Sequence, residues 1–357
     1  MNMFQGRSIL LALAGISAGF AGATGQAAEF YKGKSLQFVI GAAAGGGYDL
    51  PGRAISRHLG RHIPGRPAMV VKNMSGASGL KMTNWLYNVA RRDGSVIGMP
   101  TNNIPFEPLV RLISRDGKNI HFDTNKLQWI GSPTRETYVA FVWHAAPVKS
   151  VDDLKNRRVL MGSTSPAGTN SVLPTLTNDF LGTKMQVITG YGSQSNIFIA
   201  LERGEVQGNV TGLTNLTVNK ADWLREKKAR ILVQYGLRKD PKLPDVPFAL
   251  DLVQKPEDKA ALRFLVSKFQ VARPLVAPPG VPADRMKILR AAFDATMKDK
   301  AFLADTGKLG LDIDPVSSSE MTALIAEVYK TPKAVIERTR RIILEGRKKT
   351  VKRAGKK

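Results

Sequence analysis

The chain has 357 residues, 43% of them hydrophobic, no cysteine and a formal net charge of +24. The length suffices for two cores of ordinary size, and the missing cysteines exclude disulfides, thiol catalysis, thiolate metal sites and a lipid-bearing anchor cysteine together. The charge would suggest nucleic acid or an anionic surface, but "RKKTVKRAGKK" (347–357) is wholly basic and the remaining excess is scattered along helices without aromatic partners. We therefore read 346–357 as a solvated basic tail, with a lipid or nucleic-acid contact as the rival, and expect no nucleic-acid partner.

Residues 1–28 read as a secretory signal. Arg7 gives a positive start, 9–20 is apolar, and "ATGQAAEF" offers small residues for cleavage near Ala28 or Ala23. The run is too short for a membrane span, so the mature chain is expected as a monomer in the periplasm. Next comes "LQFVIGAAAGGGYDLPGRAISRHL". It gives a strand at 35–40, a loop of Gly and Ala, and a helix at 51–63 with Asp49 as N-cap and Pro51 in the first turn. "AMVVKN", "LKMTNWLYNVA" and "SVIGM" continue as strand, helix and strand, a βαβαβ series that favours a parallel sheet.

"ETYVAFVWH" predicts a long strand, and Ser150 with Asp153 a capping box opening a short helix. A second βα series follows, with strands "RVLMG", "MQVITGY", "VQGNVTG" and "ARILVQYG". "KFQVARPLVAPPGVP" reads as another long strand, after which helices complete the first block. The expected fold class is α/β: two βα lobes joined by two crossover strands with a cleft between them. Lobe 1 is 29–142 plus 270–345, lobe 2 is 143–269.

A Gly-rich loop between strand and helix offers backbone N–H groups at the positive end of a helix, which suits an anionic oxygen. Nucleotide motifs fail on register: Tyr48 and Asp49 follow Gly47 where a Walker loop needs Lys-Ser/Thr, and a G-x-G-x-x-G begun at Gly45 meets Leu50. Close packing explains one or two glycines but not the whole run. "GSTSPAGTN" (162–170) repeats the theme with hydroxyls, and "GYGSQSN" (190–196) repeats it again. Neutral donors in such numbers suit a carboxylate, and all three loops lie at carboxyl ends of strands, where α/β sheets bind ligands.

Catalytic arrangements are missing. His58 and His62 at i, i+4 could be a metal pair, but they read as a solvated helix face without a third ligand. His121 and His144 stand alone, and G-x-S-x-G is absent. Asp152 and Asp153 read as helix-start charges, and Trp85, Trp129, Trp143 and Trp223 as core. We expect no metal and no cofactor.

The motifs "AAAGGGYD" (42–49), "KNMSGASGL" (72–80), "RRDGSVIGM" (91–99), "GSTSPAGTN", "GYGSQSNIFIALERGEVQG" (190–208), "LPDVPFALDL" (243–252) and "LVAPPGVPADRMKILRAAF" (275–293) stand in one order. Together they resemble the solute-binding proteins of tripartite tricarboxylate transporters, also called Bug receptors, over essentially the whole mature chain. The resemblance implies a bilobed periplasmic-binding-protein fold that closes on a small organic carboxylate and serves integral-membrane transporter subunits. It implies a ligand held by Ala44, Gly45, Gly46, Gly47, Tyr48 and Asp49 from one lobe. From the other come Ser163, Thr164, Ser165, Thr169 and Asn170, with Tyr191 and Gly192 beside them; Ala77 and Ser78 line the cleft. The chain departs from the family at Tyr48, where a small Thr or Ser is common. It departs again at Asn209 and Thr211, where an acidic residue is frequent, and a neutral site there disfavours an amino-acid ammonium. The rival readings are a sensor for a membrane signalling protein and an enzyme acting on a small acid, with Asp49 as its base.

Overall fold

The computed structural model describes residues 29–45, 47–114, 116–166 and 168–353; the expected signal segment 1–28 and the last four tail residues lie outside them. Two six-stranded sheets form two lobes. The first has the order β11-β4-β10-β3-β1-β2, from β1 (Ser35–Ile40), β2 (Ala68–Asn73), β3 (Val96–Met99), β4 (Gln128–Ser132), β10 (Leu275–Ala277) and β11 (Val316–Ser317). The second has the order β12-β7-β6-β8-β5-β9, from β5 (Tyr138–Trp143), β6 (Val159–Ser163), β7 (Met185–Thr189), β8 (Gly208–Gly212), β9 (Ala229–Tyr235) and β12 (Val351–Lys352). The central strands β2-β1-β3 and β7-β6-β8 are parallel, as the βα alternation requires. Each sheet carries a buried apolar cluster on both faces, so each lobe has its own core.

Helices follow the parallel strands: α1 (Asp49–Leu59) after β1, α2 (Leu80–Asn88) after β2, α3 (Thr169–Leu181) after β6 and α4 (Gln194–Glu202) after β7. Helix α1 packs so closely on β1 that a Cβ at Gly52 would come 2.6 Å from Ile40 Cδ1. The bonds of the capping box form, Asp153 N–H donating to Ser150 Oγ and Ser150 N–H to Asp153 Oδ2. Asp49, expected as the N-cap of α1, is its first helical residue instead; Tyr48 holds the cap position without a side-chain bond. Among the described residues no helix is long and apolar enough to cross a membrane.

Three expectations about the lobes change. Strand β5 pairs with β8 and β9 of the second sheet, so the first crossover is the segment 133–137, not a boundary at 142. The second crossover is no long strand. After α5 (Pro256–Val266) comes a 3₁₀ turn, Ser267–Val271, before the short β10. Alternation over three residues is too short to fix a strand, and here Lys268, Phe269 and Val271 are all turned inward.

The third change concerns the C-terminus. After α6 (Ala283–Lys298), α7 (Lys300–Lys308) and α8 (Ser318–Tyr329), helix α9 (Lys333–Lys348) packs on α3 and α5 in the second lobe. Ile342 and Ile343 enter that lobe's core. The basic tail is not free either: β12 joins the edge of β7, and Arg353 pairs with Glu205 at 2.9 Å. Residues 351–353 therefore spend polar backbone groups on closing a sheet edge.

The crossovers are bonded to each other. Glu136 N–H donates to Phe269 O at 2.8 Å, Ala272 N–H to Thr134 O at 3.2 Å and Arg273 N–H to Ser132 Oγ at 3.2 Å. Tyr138 stacks on Phe269 with ring centroids 4.2 Å apart. Beside them, the loop after β9 reaches the first lobe, where Arg238 pairs with Asp314 at 2.7 Å and Lys242 with Asp312.

Candidate functional site

The first loop is built around a buried carboxylate. Asp49 accepts from the Gly45 N–H at 2.8 Å, Arg53 Nε at 3.0 Å and Asn73 Nδ2 at 2.9 Å, while Asn73 also donates to Ala42 O. Gly45, at φ +75°, makes the left-handed turn that aims its N–H back at Asp49. Asp49 is thus a brace beneath the loop and is fully occupied by its own lobe. Burial opposes its charge, but the Gly45 N–H, Arg53 and Asn73 outweigh this and hold its carboxyl below the ordinary value. A depressed carboxyl stabilises the fold above its unfolded value and loses that contribution as pH falls through the folded one. Asp49→Asn should therefore cost about 2 kcal/mol in urea unfolding at pH 7 and much less at pH 3. An equal cost at both pH values would show that charge has no part in the brace.

Above this brace Ala44, Gly45 and Gly47 are exposed and Tyr48 is half-buried, its hydroxyl accepting from Asn102 N–H at 3.1 Å. Gly46 lies outside the described residues. Ala77 and Ser78 hold left-handed conformations, φ 44° and 51°, which only a determined environment maintains in residues with a Cβ. Thr101 Oγ1 pins them by donating to Ser78 O at 2.8 Å.

In the second lobe the loop after β6 divides into supports and facing groups. Ser163 is fully buried with its Oγ 2.6 Å from both Asn170 Oδ1 and Ser171 Oγ, and Ser171 Oγ donates to Ser165 O at 2.7 Å. Ser163 and Asn170 therefore fix the loop's shape, while Thr164, Ser165 and Thr169 are half-buried. Ser165 and Gly168 line one cavity with Ser78 and Asn103 of the first lobe, so the structure brings these two loops together. Tyr191 goes elsewhere: its ring is 2% exposed in the second lobe's core, under the Arg353 guanidinium, and Gly192 is exposed beside it.

The crossovers add groups that the motifs did not flag. Arg273 donates from Nη1 to Thr134 Oγ1 at 2.9 Å and from Nε to Gly47 O at 3.3 Å, tying hinge to loop. Burial pushes the hydroxyls of both Tyr138 and Tyr48 up. Lys268 is buried and donates to Asn103 Oδ1 at 3.2 Å and, more weakly, to Thr169 Oγ1 at 3.5 Å. A lysine in the mainly apolar run "FLVSKFQVARPL" was the available signal for this last group.

Two sequence expectations are corrected here. The end of β8 is not neutral: Asn209 is spent on Gly162 O and Gln194, but Glu136 reaches over from the crossover and accepts from Thr214 N–H and Oγ1. Burial raises the Glu136 carboxyl while Arg273 opposes this. The face of α1 bearing His58 and His62 is not solvated, because α7 covers it. His58 meets Asp305 at 3.0 Å and the Phe302 ring, and His62 meets Asp299 at 2.9 Å. Among the described residues no group of three His, Cys, Asp or Glu could hold a metal.

Known proteins share this architecture. A TctC solute-binding protein from Polaromonas, solved without ligand, superposes with TM-score 0.65 at 16% identity, over 86% of this chain and 99% of that one. An R. palustris protein with adipate gives 0.61 at 17% identity, over 87% and 97%. MatC from Rhodopseudomonas palustris with bound malate gives 0.57 at 18%, over 87% and 99%. A curated Cupriavidus necator relative, "UPF0065 protein in gbd 5'region", is 24% identical across 93% of this chain and 97% of its own. Residues 54–340 match the tripartite tricarboxylate transporter family receptor, TctC. Lobes, sheets and sequence agree, and the chain belongs to that family of solute-binding receptors rather than to a family of enzymes.

Proposed function

We propose that this chain is exported by its first 28 residues, closes in the periplasm on a small organic carboxylate, and delivers it to the integral-membrane subunits of a tripartite transporter. The observation that carries the reading is the meeting of Ser78 and Asn103 from one lobe with Ser165 and Gly168 from the other around one cavity. These are neutral groups at the carboxyl ends of parallel strands, where peptide N–H groups and hydroxyls can share an anionic oxygen. Adipate and malate in two proteins of the same fold support the class. Because the donors come from both lobes, the ligand binds the closed form better than the open one and so draws the equilibrium toward closure.

Thermal unfolding of refolded, ligand-free protein against mono-, di- and tricarboxylates, amino acids and aromatic acids tests this. A ligand at about 100 times its dissociation constant should add about 2.7 kcal/mol. Stabilisation by acids and not by their amides supports the reading; amino acids or uncharged solutes acting instead would overturn it.

A further inference from the structure

Lys268 is a feature of the cleft that a cradle of neutral donors does not call for. It sits in the 3₁₀ turn of the second crossover, between Asn103 of the first lobe and Thr169 at the start of α3. It is only 7% exposed, and its hydrogen bonds to Asn103 and Thr169 go to uncharged oxygens, one of them long. An ammonium has three N–H donors, so at least one is left for the cavity that Lys268 lines. Glu107 in the same cavity favours the Lys268 charge, but its Oε1 is taken by backbone N–H groups; a lysine buried with no paired carboxylate is costly, and an incoming anion would complete the position.

The cavity, about 160 Å³, is smaller than the roughly 300–1,000 Å³ of drug-sized sites and suits part of a small acid. Its far wall is hydrocarbon: Phe106, Val110, Leu112, Ile113, Phe264 and Leu265. Glu107 also lies there, but its Oε1 is spent on the N–H groups of Ile113 and Ser114 at 2.6 and 2.8 Å. The wall therefore offers nothing to a hydroxyl-rich or tricarboxylic body.

Resting on the carboxylate-receptor reading, we infer that Lys268 is the specificity-determining cation of this receptor and that the ligand is a dicarboxylate with a hydrocarbon chain. One carboxylate meets the neutral groups of the first-lobe loop, the other pairs with Lys268, and the chain lies on the apolar wall. Lys268 touches both lobes, so the pair also locks the closed form.

The experiment compares adipate, hexanoate, malate and citrate by calorimetry on refolded wild type and on Lys268→Met, which keeps the stem and removes the charge. Wild type should bind adipate about 10- to 100-fold more tightly than hexanoate, the range of one charge-assisted bond, and more tightly than malate or citrate. In Lys268→Met that preference over hexanoate should vanish while thermal unfolding shows an intact fold. A second readout is pH. Burial lowers the Lys268 ammonium to about 8, with Glu107, itself near Arg347, opposing the shift. Adipate affinity should therefore fall as pH rises from 7 to 10 in wild type and stay flat in Lys268→Met. An unchanged adipate-to-hexanoate ratio in the variant, or malate or citrate binding best, would overturn the inference and leave the receptor reading standing. Failure of every carboxylate to bind wild type would overturn both.

Discussion

Phe269→Ala should lower the free energy of unfolding by about 3–5 kcal/mol, the range for removing a fully enclosed phenylalanine ring. The ring is 0% exposed, stacks on Tyr138 of the other crossover, and its carbonyl accepts the Glu136 N–H. Deleting it opens a cavity where the two crossovers meet, and the backbone bonds around it hinder collapse into the gap. Phe269→Leu keeps most of the volume and should cost roughly 1 kcal/mol. Because Phe269 holds Tyr138 by stacking, and Lys268 precedes Phe269, the alanine variant should also bind adipate more weakly at temperatures where it remains folded. Urea unfolding followed by tryptophan fluorescence reads the first effect and calorimetry the second. A loss below about 1 kcal/mol for alanine would mean that the hinge repacks freely, and that the stacked pair does not set its geometry.

The strands of both parallel series were legible because each is an apolar run closed by Gly or a turn: "AMVVKN" is β2 residue for residue, and "RVLMG" and "VQGNVTG" fall on β6 and β8. The two loops that share a cavity were legible for the same reason, since their hydroxyls and glycines stand next to strand ends. Lone residues placed by chain reversal were not. Lys268 and Arg273 lie in a segment that reads as one long strand, Glu136 at the start of another, and Thr134 in the irregular stretch before it. Asp49 was visible as an acid at a helix start, but only the left-handed Gly45 and the distant Asn73 show that it faces back into its own loop. The tail was misread because composition describes solubility, whereas the edge of β7 needed a partner for its open hydrogen-bonding groups.

Gly47→Asp should weaken carboxylate binding by up to about 100-fold without unfolding the protein. The site is exposed, its φ lies outside the left-handed region, and a Cβ there would meet no atom within 4 Å. The change in unfolding free energy should stay within about 0.5 kcal/mol, as for other surface substitutions. Binding is another matter. If the loop holds the ligand's carboxylate about 5 Å from the new one, at an effective dielectric of about 20, the repulsion is about 3 kcal/mol, or roughly 100-fold. Arg273 donates to Gly47 O, so its guanidinium is close enough to pair with the new side chain and would offset part of that repulsion. Raising the salt concentration should then restore some affinity, since exposed charges are screened over about 10 Å at 0.1 M. Gly47→Asn supplies the control of equal size: it adds the same bulk and no charge, and should retain binding within about fivefold. Equal losses in Asp and Asn would indicate that bulk alone blocks the cleft. Unchanged affinity in both would remove this loop from the site and leave the second-lobe loop and Lys268 as the ligand's holders.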